Sequence, residues 1–305
     1  MSEGSGLDSN TQFFAPDAEL VVVAEGYTFT EGPAVDAAGT LYFSDCPNNR
    51  IYALSPEGQT SVWLEPSGRA NGMNFDPSGR LIACCAQGEG GRRSVIRFEP
   101  DGTETVLAST YHGKRLNSPN DLCFDPEGRL YFTDPRYGDR GDCEQDAMAV
   151  YRIEHDGTLT RVIADLEMPN GIVMTDDGRT MILVDNNPDD WGARKLMAYS
   201  LSDEGDWLPK GEIHDFAPGR GGDGMVLDCE GNVYVTAGSE EGAGVYVFSS
   251  HGEHLAFLAT PETPGNCTFG GDGMRTLYVT ASSSVYAIEN TIPGALAFPT
   301  PSTGR

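Results

Sequence analysis

The stretch Asn120–Asp134, NDLCFDPEGRLYFTD, decides the fold because the chain repeats its pattern. Its grammar is that of a β-hairpin. Apolar residues alternate at Leu122 and Phe124, an Asp-Pro-x-Gly cluster turns the chain, and the run Leu130, Tyr131, Phe132 returns. The same phrase opens at Glu31 (EGPAVDAAGTLYFSD), Asn71 (NGMNFDPSGRLIACC), Asn170 (NGIVMTDDGRTMILVD), Asp223 (DGMVLDCEGNVYVTA) and Gly265 (GNCTFGGDGMRTLYVTA). The alternation recurs at Met73/Phe75, Ile172/Met174 and Met225/Leu227. Successive copies start 40 to 53 residues apart, a period that marks a repeat architecture.

Between the copies lie further short strands with turns of their own: RIYALSPEGQTSVWL from Arg50, SVIRFEPDGTETVLA from Ser94, AVYRIEHDGTLTRVIA from Ala149 and GVYVFSSHGEHLAFLA from Gly244. Each unit thus holds about four strands, and no amphipathic helix pattern stands out. Radially repeated four-stranded units make an all-β, six-bladed β-propeller with a central channel. The expected organisation is a flexible lead over 1–18, one closed propeller domain over 19–290 and an irregular tail over 291–305. Ring closure falls to ELVVVAEG from Glu19, placed beside SVYAIEN from Ser284.

Composition narrows the partners. Of 305 residues, 39% are hydrophobic, and no run of 18 apolar residues exists, so no membrane span is expected. The polar start MSEGSGLDSNTQ lacks the apolar core of a secretory signal, which points to a cytoplasmic location. A net charge of −26 opposes binding to nucleic-acid phosphates or an anionic membrane. Oligomeric state is left open. The seven cysteines form no metal-binding spacing and read as buried thiols, Cys84, Cys85, Cys123, Cys229 and Cys267 within apolar runs.

If the phrase is the innermost strand of each blade, its first residues converge at one mouth of the channel: Glu31, Asn71, Asn120, Asn170, Asp223 and Gly265. These differ from blade to blade, whereas Asp36, Asp76, Asp125 and Asp228, five positions on, repeat as turn residues. Glu31, Asn120, Asn170 and Asp223 offer oxygen with no His or Cys among them. That donor set suits a hard cation, Ca²⁺ before Mg²⁺, with Mn²⁺ or Zn²⁺ as other divalent choices. On pattern alone the rival reading is turn geometry, since Asn-Gly and Asp-Gly are common turn dipeptides. Strand alternation places Asn120 toward the axis and Asp121 away from it. Asn71, Arg115, Asn117, Asp134 and Tyr137 flank the channel strands and are candidate contacts for a hydroxylated substrate. No G-x-S-x-G elbow is present, which argues against a serine esterase.

From Leu20 to Ile288 the chain resembles the senescence marker protein/gluconolactonase family of six-bladed propellers, carried by TEGP (from Thr30), GKRLNSPNDL (from Gly113), YFTDPRYG (from Tyr131), MPNGI (from Met168), GGDGM (from Gly221) and LYVTAS (from Leu277). The resemblance implies a central divalent cation, usually Ca²⁺, held by residues matching Glu31, Asn120, Asn170 and Asp223. It implies hydrolysis of a small-molecule sugar lactone such as glucono-1,5-lactone, with Asp223 as both ligand and catalytic base. One departure stands out: CAQG from Cys85 places Gln87 where many bacterial relatives carry His. Two alternatives share the scaffold. One is phosphotriester or other lactone hydrolysis at the same channel; the other is a non-catalytic interaction propeller.

Overall fold

Each copy of the phrase forms the first two strands of a four-stranded antiparallel sheet, and the segment that follows supplies the rest. The computed structural model describes residues 9–15, 17–99 and 101–295. Six such sheets are present, and the first strands of neighbouring sheets touch around the ring, so each sheet is a propeller blade. Their first strands are Thr30–Val35, Ala70–Phe75, Leu122–Phe124, Pro169–Met174, Gly222–Leu227 and Pro264–Gly270, numbered here as blades one to six. Blade six takes its outermost strand from the other end of the chain: Val21–Glu25 pairs antiparallel with Ser284–Glu289, as the sequence led one to expect. Among the described residues the only helical pieces are three short 3₁₀ turns.

The repeated aspartates earn their place in the turns. Asp125 Oδ1 accepts the amides of Glu127 (3.0 Å) and Arg129 (2.9 Å), and Gly128 takes the φ of 81° that closes the turn. Asp36, Asp76 and Asp228 each accept the amides two and four residues on in the same way. Blade four has Thr175 in that slot, and its hydroxyl oxygen accepts the Thr180 amide at 3.1 Å.

The apolar core is six wedges, each filled by the facing sides of two neighbouring blades. One such wedge packs Ile82, Cys84 and Val95 of blade two against Leu122, Phe132 and Tyr151 of blade three. Cys46, Cys84, Cys85, Cys123 and Cys267 are buried free thiols, as expected; Cys229 is exposed, because it sits at the tip of the Asp228–Gly231 turn and not within the strand before it.

Described residues within the expected lead and tail pack against the propeller. Phe13 and Phe14 are buried, Phe13 meeting Tyr234 edge-on at 6.3 Å, and Asn10 bonds both the amide and the carbonyl of Phe257. Of the lead expected over 1–18, Asn10, Phe13 and Phe14 are thus in contact with the propeller, while residues 1–8 and 16 lie outside the described residues. At the other end Ile292 is buried and the Ala295 amide donates to Leu227 at 2.9 Å, while 296–305 lie outside the described residues.

Candidate functional site

The first strands do not begin as regular ladders. In blades one, two, four, five and six the register slips at the start of the strand: Glu31/Ala34, Ala70/Met73, Pro169/Ile172, Gly222/Met225 and Pro264/Asn266. In blade three Asn120 and Asp121 precede the paired strand, held by Asn120 N–H to Thr133 O (2.9 Å) and Thr133 N–H to Asp121 O (3.0 Å). Such bulges re-aim side chains, so strict alternation does not hold here. Glu31, Asn71, Asn120, Asn170 and Asp223 line one cavity of about 490 Å³. Phe29, Tyr137, Asn186, Pro188, Arg194, Pro218, Gly219 and Arg220 complete its wall.

The sixth slot explains itself. A Cβ on Gly265 would lie 2.7 Å from Glu31 Oε1, so the Glu31 carboxylate occupies the room that a side chain of blade six would need. Directly after the ring residues comes an inner circle in which four blades carry glycine. A Cβ on Gly72 would meet Asp121 Oδ1 at 2.3 Å and the carbonyl of Asn120 at 2.6 Å. Asp121 is thus not turned away from the axis, as alternation implied. It is buried beside the ring, close enough to Glu31 and Asp223 for their charges to act on one another.

Charge in this space is concentrated and poorly solvated. Burial, reinforced by the charge of Asp223, holds the Glu31 carboxyl well above the usual carboxylate range. Burial likewise pushes Asp121 up to about 7, the Asp223 charge adding to it against the Leu122 amide. Asp223 is raised by burial and pulled back by Arg220, whose Nη2 is ion-paired with Asp223 Oδ2 and whose Nη1 donates to the Pro264 carbonyl at 3.0 Å. Arg220, Arg194 and Asn266 are site residues to which sequence reasoning gave no role. Arg220 had a signal, lying three residues before Asp223 at the entry to the same strand.

The candidate substrate contacts divide. Asn71 and Tyr137 stand in the cavity wall. The Tyr137 hydroxyl donates to the Asn186 carbonyl (3.2 Å) and accepts from Asn170 Nδ2 (2.9 Å). Asn117, Asp134 and Arg115 are not in that wall. Asp134 is fully buried, its carboxylate accepting the amides of Asn117 (2.8 Å) and Ser118 (2.7 Å). Asn117 turns its Nδ2 to the carbonyls of Asp134 and Ala147. Arg115 is exposed and ion-paired with Glu144. These three lie outside the wall expected to meet substrate: Asp134 and Asn117 Nδ2 are bonded within the loop that carries Asn120, Arg115 is paired with Glu144, and Asn117 Oδ1 is a buried acceptor with no partner among the described residues.

Among the described residues no group of three His, Cys, Asp or Glu side chains is placed to hold a metal ion. The cavity's donors are instead mixed, two carboxylates with neutral amides. One observation fits a hard cation there: the Glu31 and Asp223 carboxylates are pushed together out of water with mutual repulsion. Arg220 sets a positive charge against Asp223.

Comparison with known proteins places this geometry in context. The model of the SMP-30/Gluconolactonase/LRE-like region matches residues 29–283. A gluconolactonase of Zymomonas mobilis is 33% identical over 300 residues, covering 88% of this chain and 80% of the relative. The pentonolactonase XacC of Haloferax volcanii is 27% identical, covering 79% of this chain and 77% of its own. A solved gluconolactonase structure from Xanthomonas campestris superposes with a TM-score of 0.82 at 30% identity, covering 92% of each chain.

Proposed function

Because the chain belongs to the SMP-30/gluconolactonase/LRE-like family, we propose that its cavity opens sugar lactones with the help of a bound divalent cation. The chain is a lactonase, a carboxylic ester hydrolase, in line with relatives named for glucono- and pentonolactones. The observation that carries the site assignment is the convergence of Glu31, Asn71, Asn120, Asn170 and Asp223, from five blades, on one cavity.

In this reading Glu31, Asn120, Asn170 and Asp223 hold the ion, Ca²⁺ by the preference of mixed carboxylate and amide oxygens. When bound, the cation supplies Lewis acidity toward the lactone carbonyl and positive charge for the oxyanion that develops. Asp223 accepts a proton from the water that adds to the carbonyl carbon. The ring C–O bond then breaks, the proton passes to the departing ring oxygen, and the open hydroxy acid leaves. Arg220 on Asp223 holds its carboxylate in one orientation and favours its ionised form against burial. Asn71, with its free Oδ1, and Tyr137, fixed by Asn170 and Asn186, receive the hydroxyls of the substrate.

The test is a proton-release assay on glucono-1,5-lactone, run on chelated protein with and without added Ca²⁺, beside a phosphotriester. Lactone turnover that needs the added ion supports the reading. Turnover of the phosphotriester alone transfers the same cavity to the alternative chemistry, and no turnover of either with Ca²⁺ present refutes it.

A further inference from the structure

We infer that the cavity contains a subsite for an anionic group of the substrate, built on Arg194, so that the preferred lactones carry a carboxylate or a phosphate away from the reacting carbonyl. The inference rests on the lactonase reading of the cavity and adds the substrate class.

Arg194 lines the cavity and is half-buried, in a chain of net charge −26. In so acidic a protein an arginine normally finds a carboxylate, and most of those described here do. Arg194 has none within 4.0 Å among the described residues. Its one side-chain hydrogen bond is a long 3.5 Å contact from Nη2 to the Pro188 carbonyl.

Most carboxylates of the surrounding segments are already committed, and Asp190, exposed in the same loop, does not come within 4.0 Å of the guanidinium. Asp189 pairs with Arg140 at 3.0 Å, Glu212 with Lys195 at 2.7 Å and Asp223 with Arg220. Glu167 accepts from Asn187 Nδ2 and the Ala193 amide, and Asp185 from the amides of Glu167 and Met168. The guanidinium, of a residue that lines the cavity beside Pro188, is therefore left with unspent donors.

Its backbone is fixed while its head is free. Arg194 is the ladder partner of Asn186, its carbonyl accepts the Phe216 amide at 2.8 Å, and its Cβ packs beside Gly221. A planar fork of donors on a rigid base, partly withdrawn from water, suits a carboxylate or phosphate.

Placement sets which part of the substrate it meets. The ring residues stand on the first strand of each blade, whereas Arg194 opens the third strand of blade four, further from the axis. An anion on Arg194 is thus held apart from a carbonyl at the ring. Aldaric acid lactones and phosphorylated aldonic acid lactones have that layout, with a charged terminus remote from the ring ester.

The experiment compares kcat/KM of wild type, Arg194→Gln and Arg194→Lys on neutral glucono-1,5-lactone, on its 6-phosphate and on glucaro-1,4-lactone. Calorimetric binding of glucarate and of gluconate to the same three proteins runs alongside. Loss of one charge-assisted hydrogen bond should lower the anionic-to-neutral kcat/KM ratio about tenfold or more in Arg194→Gln. Lysine should restore part of it, and added salt should reduce it in wild type. The larger of the phosphate and carboxylate ratios names the group. A ratio that is the same in wild type and Arg194→Gln, with both folded, overturns the subsite. If none of the lactones is turned over, the lactonase reading fails. Glucarate binding then decides the subsite alone, supporting it if the preference for glucarate over gluconate is lost in Arg194→Gln and overturning it if the preference is absent or unchanged.

Discussion

The first residue of the repeated phrase and the turn residue five positions on follow opposite rules. At the turn end, blades one, two, three and five carry the same aspartate and spend it the same way, one carboxylate oxygen on two backbone amides. At the ring end the corresponding residues are Glu31, Asn71, Asn120, Asn170, Asp223 and Gly265, and five of these share one cavity. Positions that keep the backbone shape repeat, because each blade must make the same turn. Positions that serve a common cavity must differ, because six copies of one side chain would crowd the axis or load it with charge. The Gly265 slot, filled by the Glu31 carboxylate, is that rule at its plainest.

Blade five holds both kinds of residue, and substitutions there differ most in effect. Asp223→Asn removes the proposed base and an ion ligand, and kcat should fall by roughly 10³ with the fold retained. Asp228→Asn, five residues on, touches only the turn and the Asn232 and Tyr234 side chains. It should leave kcat within a few-fold of wild type and cost about 1–2 kcal/mol of stability. Steady-state assays with denaturant unfolding read both; equal loss of kcat in the two variants would erase the distinction.

Next in size is the response to the cation. If the ring holds it, Ca²⁺ at about 100 times its Kd should stabilise the fold by about 2.7 kcal/mol, and chelation should remove that gain. Glu31→Gln should abolish most of the shift in Tm, while Asp125→Asn at a turn should leave it intact. A Tm unmoved by Ca²⁺ in wild type would leave the ring without its proposed ion.

Much of this was legible in advance. The blade count, the closing strand and the turn aspartates follow from local rules, alternation and turn chemistry, which read directly from neighbouring letters. The site was legible only as far as those rules reach. Asn120 and Asp121 were separated by alternation, but a break in regular pairing at the strand start brings both toward the axis, and a bulge has no strong sequence signature. Asn117 and Asp134 read as polar residues near a site, yet the Asp134 carboxylate and Asn117 Nδ2 are occupied by backbone groups that only the folded loop brings near. Arg194 belongs to a strand start 29 residues before Asp223, and only the closed ring sets them in one wall.

A third test addresses the clamps behind the ring. Asp134 holds the loop before Asn120 through two amides, as Asp185 holds the loop before Asn170. Burial nonetheless pushes the Asp134 carboxyl up to about 7. A carboxyl raised in the folded state keeps its proton where the unfolded chain has lost it. Stability therefore declines as pH rises from the ordinary aspartate value of 3.8 to about 7 and levels off above. Asp134→Asn should lower stability at pH 5 but flatten this decline between pH 5 and pH 8, measured by urea unfolding. An unchanged slope would mean that Asp134 is ionised across the whole range.

The smallest effect concerns the latches that tie one blade to the next. Thr133 Oγ1 donates to the carbonyl of Asn170 at 2.7 Å, Ser44 Oγ to that of Asn71 at 3.2 Å and Thr236 Oγ1 to that of Gly265 at 2.8 Å. Each hydroxyl sits near the end of a second strand and fixes the ring residue of the following blade. Blade four has Val184 in this slot, so the fold tolerates the bond's absence there. Thr133→Val keeps the shape and deletes the hydroxyl, leaving the Asn170 carbonyl with one partner fewer and removing the acceptor of the buried Asp121 amide, 3.1 Å away. The cost should be about 1 kcal/mol, a drop of a few degrees in Tm. Because Asn170 is a proposed ligand, the same change should weaken Ca²⁺ affinity by a few-fold, whereas Thr180→Val, remote from the ring in the next blade, should not. A loss of stability with Ca²⁺ affinity untouched would make the latch a tie between blades alone, and would separate the ring's geometry from the hydroxyls that stand behind it.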